Sequence, residues 1–161
     1  MWLIARRVAS LMRHFPFVRG VFISGQLCRY IADESSDIDY FIVTEPRRLW
    51  IVRTMFVLVR RLLLFNSRKY FCTNYYVTTD NLKIREHNRY TANEIISLKP
   101  IYNLQLFGRL LNENRWVEEF YPNFDADRIR LRPGAPPKSW IRPIVERLFP
   151  QRLATRIDIR L

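Results

Sequence analysis

Histidine, cysteine and glycine are scarce in this chain of 161 residues, which holds two, two and four of them. With so few soft ligands, a zinc cluster or other His/Cys-rich transition-metal centre is excluded. Cys28 and Cys72 are too few and too far apart for a disulfide framework, and two free thiols suit a reducing cytoplasm. Long hydrophobic runs are missing as well. The most apolar stretch, Leu49 to Phe65, is broken by Arg53, Arg60 and Arg61, which argues against a transmembrane segment and for a mostly buried helix. The first residues place Arg6 and Arg7 after Trp2-Leu3-Ile4 without a long apolar core, a poor signal peptide. Acidic residues are absent from 1–20 and from 46–70, although arginines crowd both.

What is present points to one globular domain. Apolar residues make up 48% of the chain, which is incompatible with disorder. The net charge of +12 and pI near 10.4 favour a polyanionic partner: nucleic acid, nucleotide phosphates or an anionic membrane surface. Basic amphipathic ends would serve the last of these by peripheral binding.

The apolar spacing of residues 2–14 predicts a helix ended by Pro16, and Val18–Ser24 and Ile38–Val43 read as strands. Thr44, followed by Glu45 and Pro46, is expected to cap a long helix reaching about Phe65. Residues 69–78 are expected to form a third strand and 82–85 a short return strand. Thr91 with Glu94 makes a capping box for a helix that stops before Pro100. Further helices are expected over 104–111, around 116–120 and over 140–149. The resulting fold class is α/β (α+β): a small mixed sheet of three to five strands, with helices on one side and a helical C-terminal portion. The domain boundary falls at 1–124, with 125–161 as a basic linker and helical tail around Pro133-Gly-Ala-Pro-Pro.

The chemistry concentrates at Ser24-Gly25-Gln26, which ends the first strand, and Asp37-Ile38-Asp39, which enters the second. Asp-x-Asp alone also occurs at acidic loop edges. Here, however, the pair runs into Ile-Asp-Tyr-Phe-Ile-Val, where carboxylates are costly without a cation or a partner. Strand alternation puts both on one face, and two like charges so close call for a hard divalent ion, Mg²⁺ or Mn²⁺, completed by phosphate oxygens and water. Gly25 removes a side chain where a triphosphate would approach the backbone. Arg53 and Arg60 share a helix face and are candidate phosphate ligands, Arg53 the more so, although a solvated stripe is the simpler account. Tyr70, Phe71, Tyr75 and Tyr76 read as core and cross-strand packing in preference to base stacking.

This arrangement resembles the nucleotidyltransferase superfamily that includes DNA polymerase β, in its small bacterial branch. That signature is a Gly-Ser pair ending a strand, then Asp-x-Asp; Gly25-Gln26 stands in the Gly-Ser position, with eleven residues from Gln26 to Asp37. Phe17-Val-Arg-Gly-Val, Tyr90-Thr-Ala-Asn-Glu-Ile, Asn114-Arg-Trp-Val and Tyr121-Pro-Asn extend the likeness over roughly residues 15–124. The resemblance implies transfer of a nucleoside monophosphate from an NTP to a hydroxyl of RNA, a small molecule or a protein, with Asp37 and Asp39 holding the metal. Ser24, Gly25, Gln26 and Arg53 would contact the nucleotide. It also implies a third carboxylate on the later strand, where Asn74 stands, with Asp80 as an outside candidate. Because asparagine is no general base, the alternative is a catalytically impaired module of the same fold that binds nucleotide or nucleic acid.

Overall fold

The computed structural model describes residues 1–33, 36–63, 67, 69–125 and 141–148. Strands β1 (Val18–Ser24), β2 (Asp39–Thr44), β3 (Cys72–Thr78) and β4 (Lys99–Tyr102) form one mixed sheet in the order β3-β2-β1-β4. β1 is antiparallel to both β2 and β4, whereas β2 and β3 run parallel. Helices α1 (Trp2–Met12), α2 (Gly25–Cys28), α3 (Leu49–Leu63), α4 (Arg89–Ser97), α5 (Leu104–Glu113), α6 (Val117–Phe120) and α7 (Ile141–Leu148) complete the described chain.

Helices cover both faces of the sheet, not one as the sequence suggested. β1 and β2 are buried at nearly every position, so each alternating set of side chains needs its own cover. Val21, Ile23, Tyr40 and Ile42 pack against Ala5, Ala9 and Met12 of α1 and Val52 and Phe56 of α3. Phe22, Phe41, Val43 and Val77 pack on the opposite side, with Ala92 and Ile95 of α4 and Phe107 and Leu110 of α5.

Two local expectations are corrected, and one strand is added. Thr44 does not cap the long helix; it ends β2 fully buried, its hydroxyl donating to the Val77 carbonyl. Pro46 and Arg47, the latter at φ 59°, add a turn, and α3 starts at Leu49. The cap of α4 is Asn88, whose side chain accepts from the Thr91 N–H at 2.9 Å. The segment after this helix, to which no element was assigned, is β4. Proline fits there because β4 is an edge strand paired only with β1.

Residues 82–85 form no return strand, because another partner satisfies their backbone. The fully buried Asn114 accepts from the Ile84 N–H at 2.7 Å and donates to the Leu82 carbonyl at 2.9 Å. It also donates to the Leu110 carbonyl and accepts from the Trp116 indole N–H. One amide thus pins Leu82 and Ile84 into the α4–α5 core without a strand partner.

The tail helix belongs to the same folded body. Glu146 of α7 accepts from the Phe17 N–H at 2.7 Å and from Arg19 at 2.8 Å, and Arg19 also pairs with Glu45. Arg142 donates to the Val18 carbonyl and the Tyr102 hydroxyl. Burial would raise the Glu146 carboxyl, but hydrogen bonds from Arg19 and Phe17, with the charges of Arg19 and Arg142, hold it below the ordinary 4.5. The sequence expectations for 126–140 and for 149–161 lie outside the described residues, as does that for Phe65.

Asn114→Ala strips four hydrogen bonds from buried groups. It is expected to cost about 3 kcal/mol in urea denaturation, given roughly 1–3 kcal/mol for each unpaired buried group; a loss below about 1 kcal/mol would contradict this role.

Candidate functional site

The site forms where β1 ends and β2 and β3 begin. Ser24 pairs directly with Asp39, and Asp39 in turn with Cys72, so residue 25 leaves the sheet beside the Asp39 carboxylate. Gly25 takes a left-handed conformation, φ 71°, and a Cβ there would sit 2.2 Å from Asp39 Oδ2. Any other residue would meet both backbone strain and a direct clash. Gly25 is therefore required by the carboxylate next to it.

Asp37 and Asp39 reach the same space at different depths. Asp37 is exposed at the rim and Asp39 half-buried within. Ile38 is locked between them, its N–H bonded to the Lys69 carbonyl and its carbonyl to the Cys72 N–H. Burial pushes the Asp39 carboxyl above the ordinary 3.8. The Cys72 thiol, which donates to it, and Arg29 pull the other way, while the charge of Asp37 adds to the rise. The folded protein thus holds an unneutralised acid that a cation would relieve.

Around this pair lies an open polar cleft of about 490 Å³, lined also by Gly25, Gln26, Arg29, Asn74 and Glu94. The Gln26 Oε1 accepts from the Ser36 hydroxyl at 2.7 Å, and that hydroxyl also contacts Asp33. Asn74 occupies a β-bulge: Tyr40 faces Thr73 and Phe41 faces Tyr75, leaving Asn74 as the extra residue. A bulge re-aims side chains, and here both Asn74 and Tyr75 line the α4 side of the sheet.

Most sequence candidates converge here. Asp37, Asp39, Gly25, Gln26 and Asn74 line one cleft, and Ser24 lines the adjoining hollow. Arg53 does not join them. Its helix packs on the opposite face of the sheet, and its guanidinium lies over the Trp50 ring, 5.1 Å from the centroid. Asp80 lies beyond the far end of β3 and is not part of the lining. The cation facing the cleft is Arg29, paired with Glu94 at 3.2 Å. Arg29 Nε and Glu94 Oε1 are buried without an aligned hydrogen-bond partner, so this contact is an ion pair only. Sequence reasoning passed over both residues, because α2 and α4 meet only in three dimensions. Tyr75 packs across the strands on Phe41 as expected, but at 36% exposed it is not core.

Among the described residues, no three His, Cys, Asp or Glu side chains are grouped to hold a metal. Asp37 and Asp39 still offer the oxygen donors that Mg²⁺ takes from protein when phosphate and water supply the rest. No family model matches this chain, and no curated protein or solved structure matches it either.

Gly25→Ala is expected to cost at least about 2 kcal/mol in urea denaturation, from left-handed strain plus the clash. Adding Asp39→Ala should recover part of that loss, with a coupling of about 1 kcal/mol in a double-mutant cycle. Strict additivity would show that the two residues do not meet.

Proposed function

We propose that the cleft is a polymerase β-like nucleotidyltransferase site, binding a nucleoside triphosphate with Mg²⁺ and moving the nucleoside monophosphate to an acceptor hydroxyl. The observation that carries this is the contact of Gly25 with the Asp39 carboxylate, with Asp37, Gln26 and Asn74 around the same cleft. Asp37 and Asp39 would hold the metal, which when bound neutralises phosphate charge and polarises the phosphoryl group. Arg29 offers a guanidinium to phosphate oxygens. With its carbonyl taken by Ser36, Gln26 has its amide –NH₂ as a phosphate donor in place of serine. The bond formed joins the acceptor oxygen to the α-phosphorus; the bond broken releases pyrophosphate. Positioning and charge neutralisation supply the rate. Cys28 and Cys72 form no disulfide with each other, in keeping with a cytoplasmic setting. Among the described residues no helix is long and apolar enough to cross a membrane.

A second reading, a module that binds nucleotide without turnover, is favoured by one observation. Asn74 stands at the bulge that faces the acid pair, and among the described residues no third acid is grouped with them so as to hold a metal. The acceptor, and any nucleic acid held on the basic surface, belong to the proposal alone.

Calorimetric titration of each NTP with Mg²⁺ separates these. Binding that needs the metal and falls at least about tenfold in Asp37→Asn/Asp39→Asn is expected. Because Asp39 protonates at higher pH than an ordinary aspartate, metal-dependent affinity should weaken early as pH falls. Absence of NTP binding with either Mg²⁺ or Mn²⁺ would end both readings. Labelled nucleotide incorporated into a cell extract then favours transfer over binding.

A further inference from the structure

The polar cleft opens into a second hollow of about 150 Å³ on the same side of the sheet. Asn74, Tyr90 and Glu94 belong to both and mark the passage between them. The two spaces differ in chemistry. The cleft offers a guanidinium and amides suited to phosphates beside carboxylates suited to a metal, and only Tyr90 as an apolar surface. The hollow is walled by Ile95 and Leu98 and floored by Phe41 and Tyr75.

That floor is flat. The Phe41 and Tyr75 rings are stacked with centroids 5.2 Å apart at 14°, and Phe41 stacks on Phe22 at 5.9 Å and 16°. Three near-parallel rings cross β1, β2 and β3, and the bulge at Asn74 brings Tyr75 into line with the other two. Two buried polar atoms at the hollow make no hydrogen bond within the protein, although one of them, Glu94 Oε1, is ion-paired with Arg29. Ser24 Oγ is buried, in a residue only 4% exposed, and Glu94 Oε1 is buried with no aligned hydrogen bond. Buried polar groups are rarely left unpaired, and a group so left waits for a partner from outside.

We propose that this hollow seats the nucleobase of the nucleotide whose phosphates occupy the cleft. The ring lies against the Phe41–Tyr75 floor, and its hydrogen-bonding edge meets Ser24 Oγ and the Glu94 carboxylate. This rests on the reading of the cleft as a magnesium–nucleotide site. It assigns the base to the hollow by chemistry: a planar π system with N–H donors suits stacked rings and unpaired oxygens, whereas a saturated acceptor does not.

The test compares the four NTPs with ribose 5-triphosphate, which lacks only the base, by calorimetry with Mg²⁺ on the full chain. At least one NTP should bind about tenfold tighter than ribose 5-triphosphate, in line with base–aromatic stacking. Thr91→Trp fills the hollow from the half-buried first turn of α4, and its backbone N–H still reaches Asn88. Tyr75→Ala removes part of the floor at an exposed position. Each variant should bring that NTP to within about twofold of ribose 5-triphosphate, a difference too small for a retained stacking contact. Ribose 5-triphosphate binding should not change, which also shows that the cleft is still folded. An NTP preference unaltered in both variants would overturn the proposal and leave the hollow to an acceptor. Failure of the cleft itself looks different: the wild-type protein would then bind neither NTP nor ribose 5-triphosphate.

Discussion

The Asp39 carboxylate lies directly against Gly25, and this contact governs how the rest of the site is arranged. It requires a residue without a side chain at the end of β1 and a left-handed turn there, which sends the chain into α2 and brings Gln26 and Arg29 to the cleft. The pairing of Asp39 with Ser24 and Cys72 fixes the carboxylate at the sheet's end. A half-buried acid with a raised pKa, next to a second acid, is poor design for stability and good design for holding a cation.

The scaffold behind this contact is rigid for a simple reason. β1 and β2 are buried on both faces, so a one-residue slip in register would exchange one packed core for the other. The site grows from the strand ends of that frame, and α4, held by Asn88 at its start, supplies the opposite wall through Tyr90 and Glu94. Many arginines that raise the net charge also have internal duties. Arg19 ties β1 to Glu45 and to Glu146 of α7, Arg48 is buried with its guanidinium 5.4 Å from the Phe17 ring centroid, and Arg29 pairs with Glu94.

The parts of the site that follow from strand period and residue type were visible in the sequence. Val18–Ser24 is a strand because its apolar run allows little else, and Gly25 with the Asp pair follows from where that run stops. What stayed hidden depends on tertiary pairing. β4 was concealed by Pro100, which only an edge position tolerates, and the bulge at Asn74 exists only in the register between β2 and β3. Arg53 was drawn to the site by its charge, yet α3 crosses the other face. Arg29 carries no motif and Glu94 read only as part of a helix cap, and only the meeting of α2 with α4 brings them together. Tyr75 read as core and cross-strand packing because aromatic strand residues usually are; it does stack on Phe41, but β3 is an edge strand and leaves it exposed beside the hollow.

The account stands or falls on a divalent ion between Asp37 and Asp39 when nucleotide is bound. Paramagnetic broadening by Mn²⁺ in amide NMR spectra locates such an ion directly. With an NTP present, substoichiometric Mn²⁺ should broaden the amides of Gly25, Asp39 and Asn74 first, and Asp37→Asn/Asp39→Asn should abolish the effect. Broadening centred elsewhere, or unchanged in the double variant, would contradict the account.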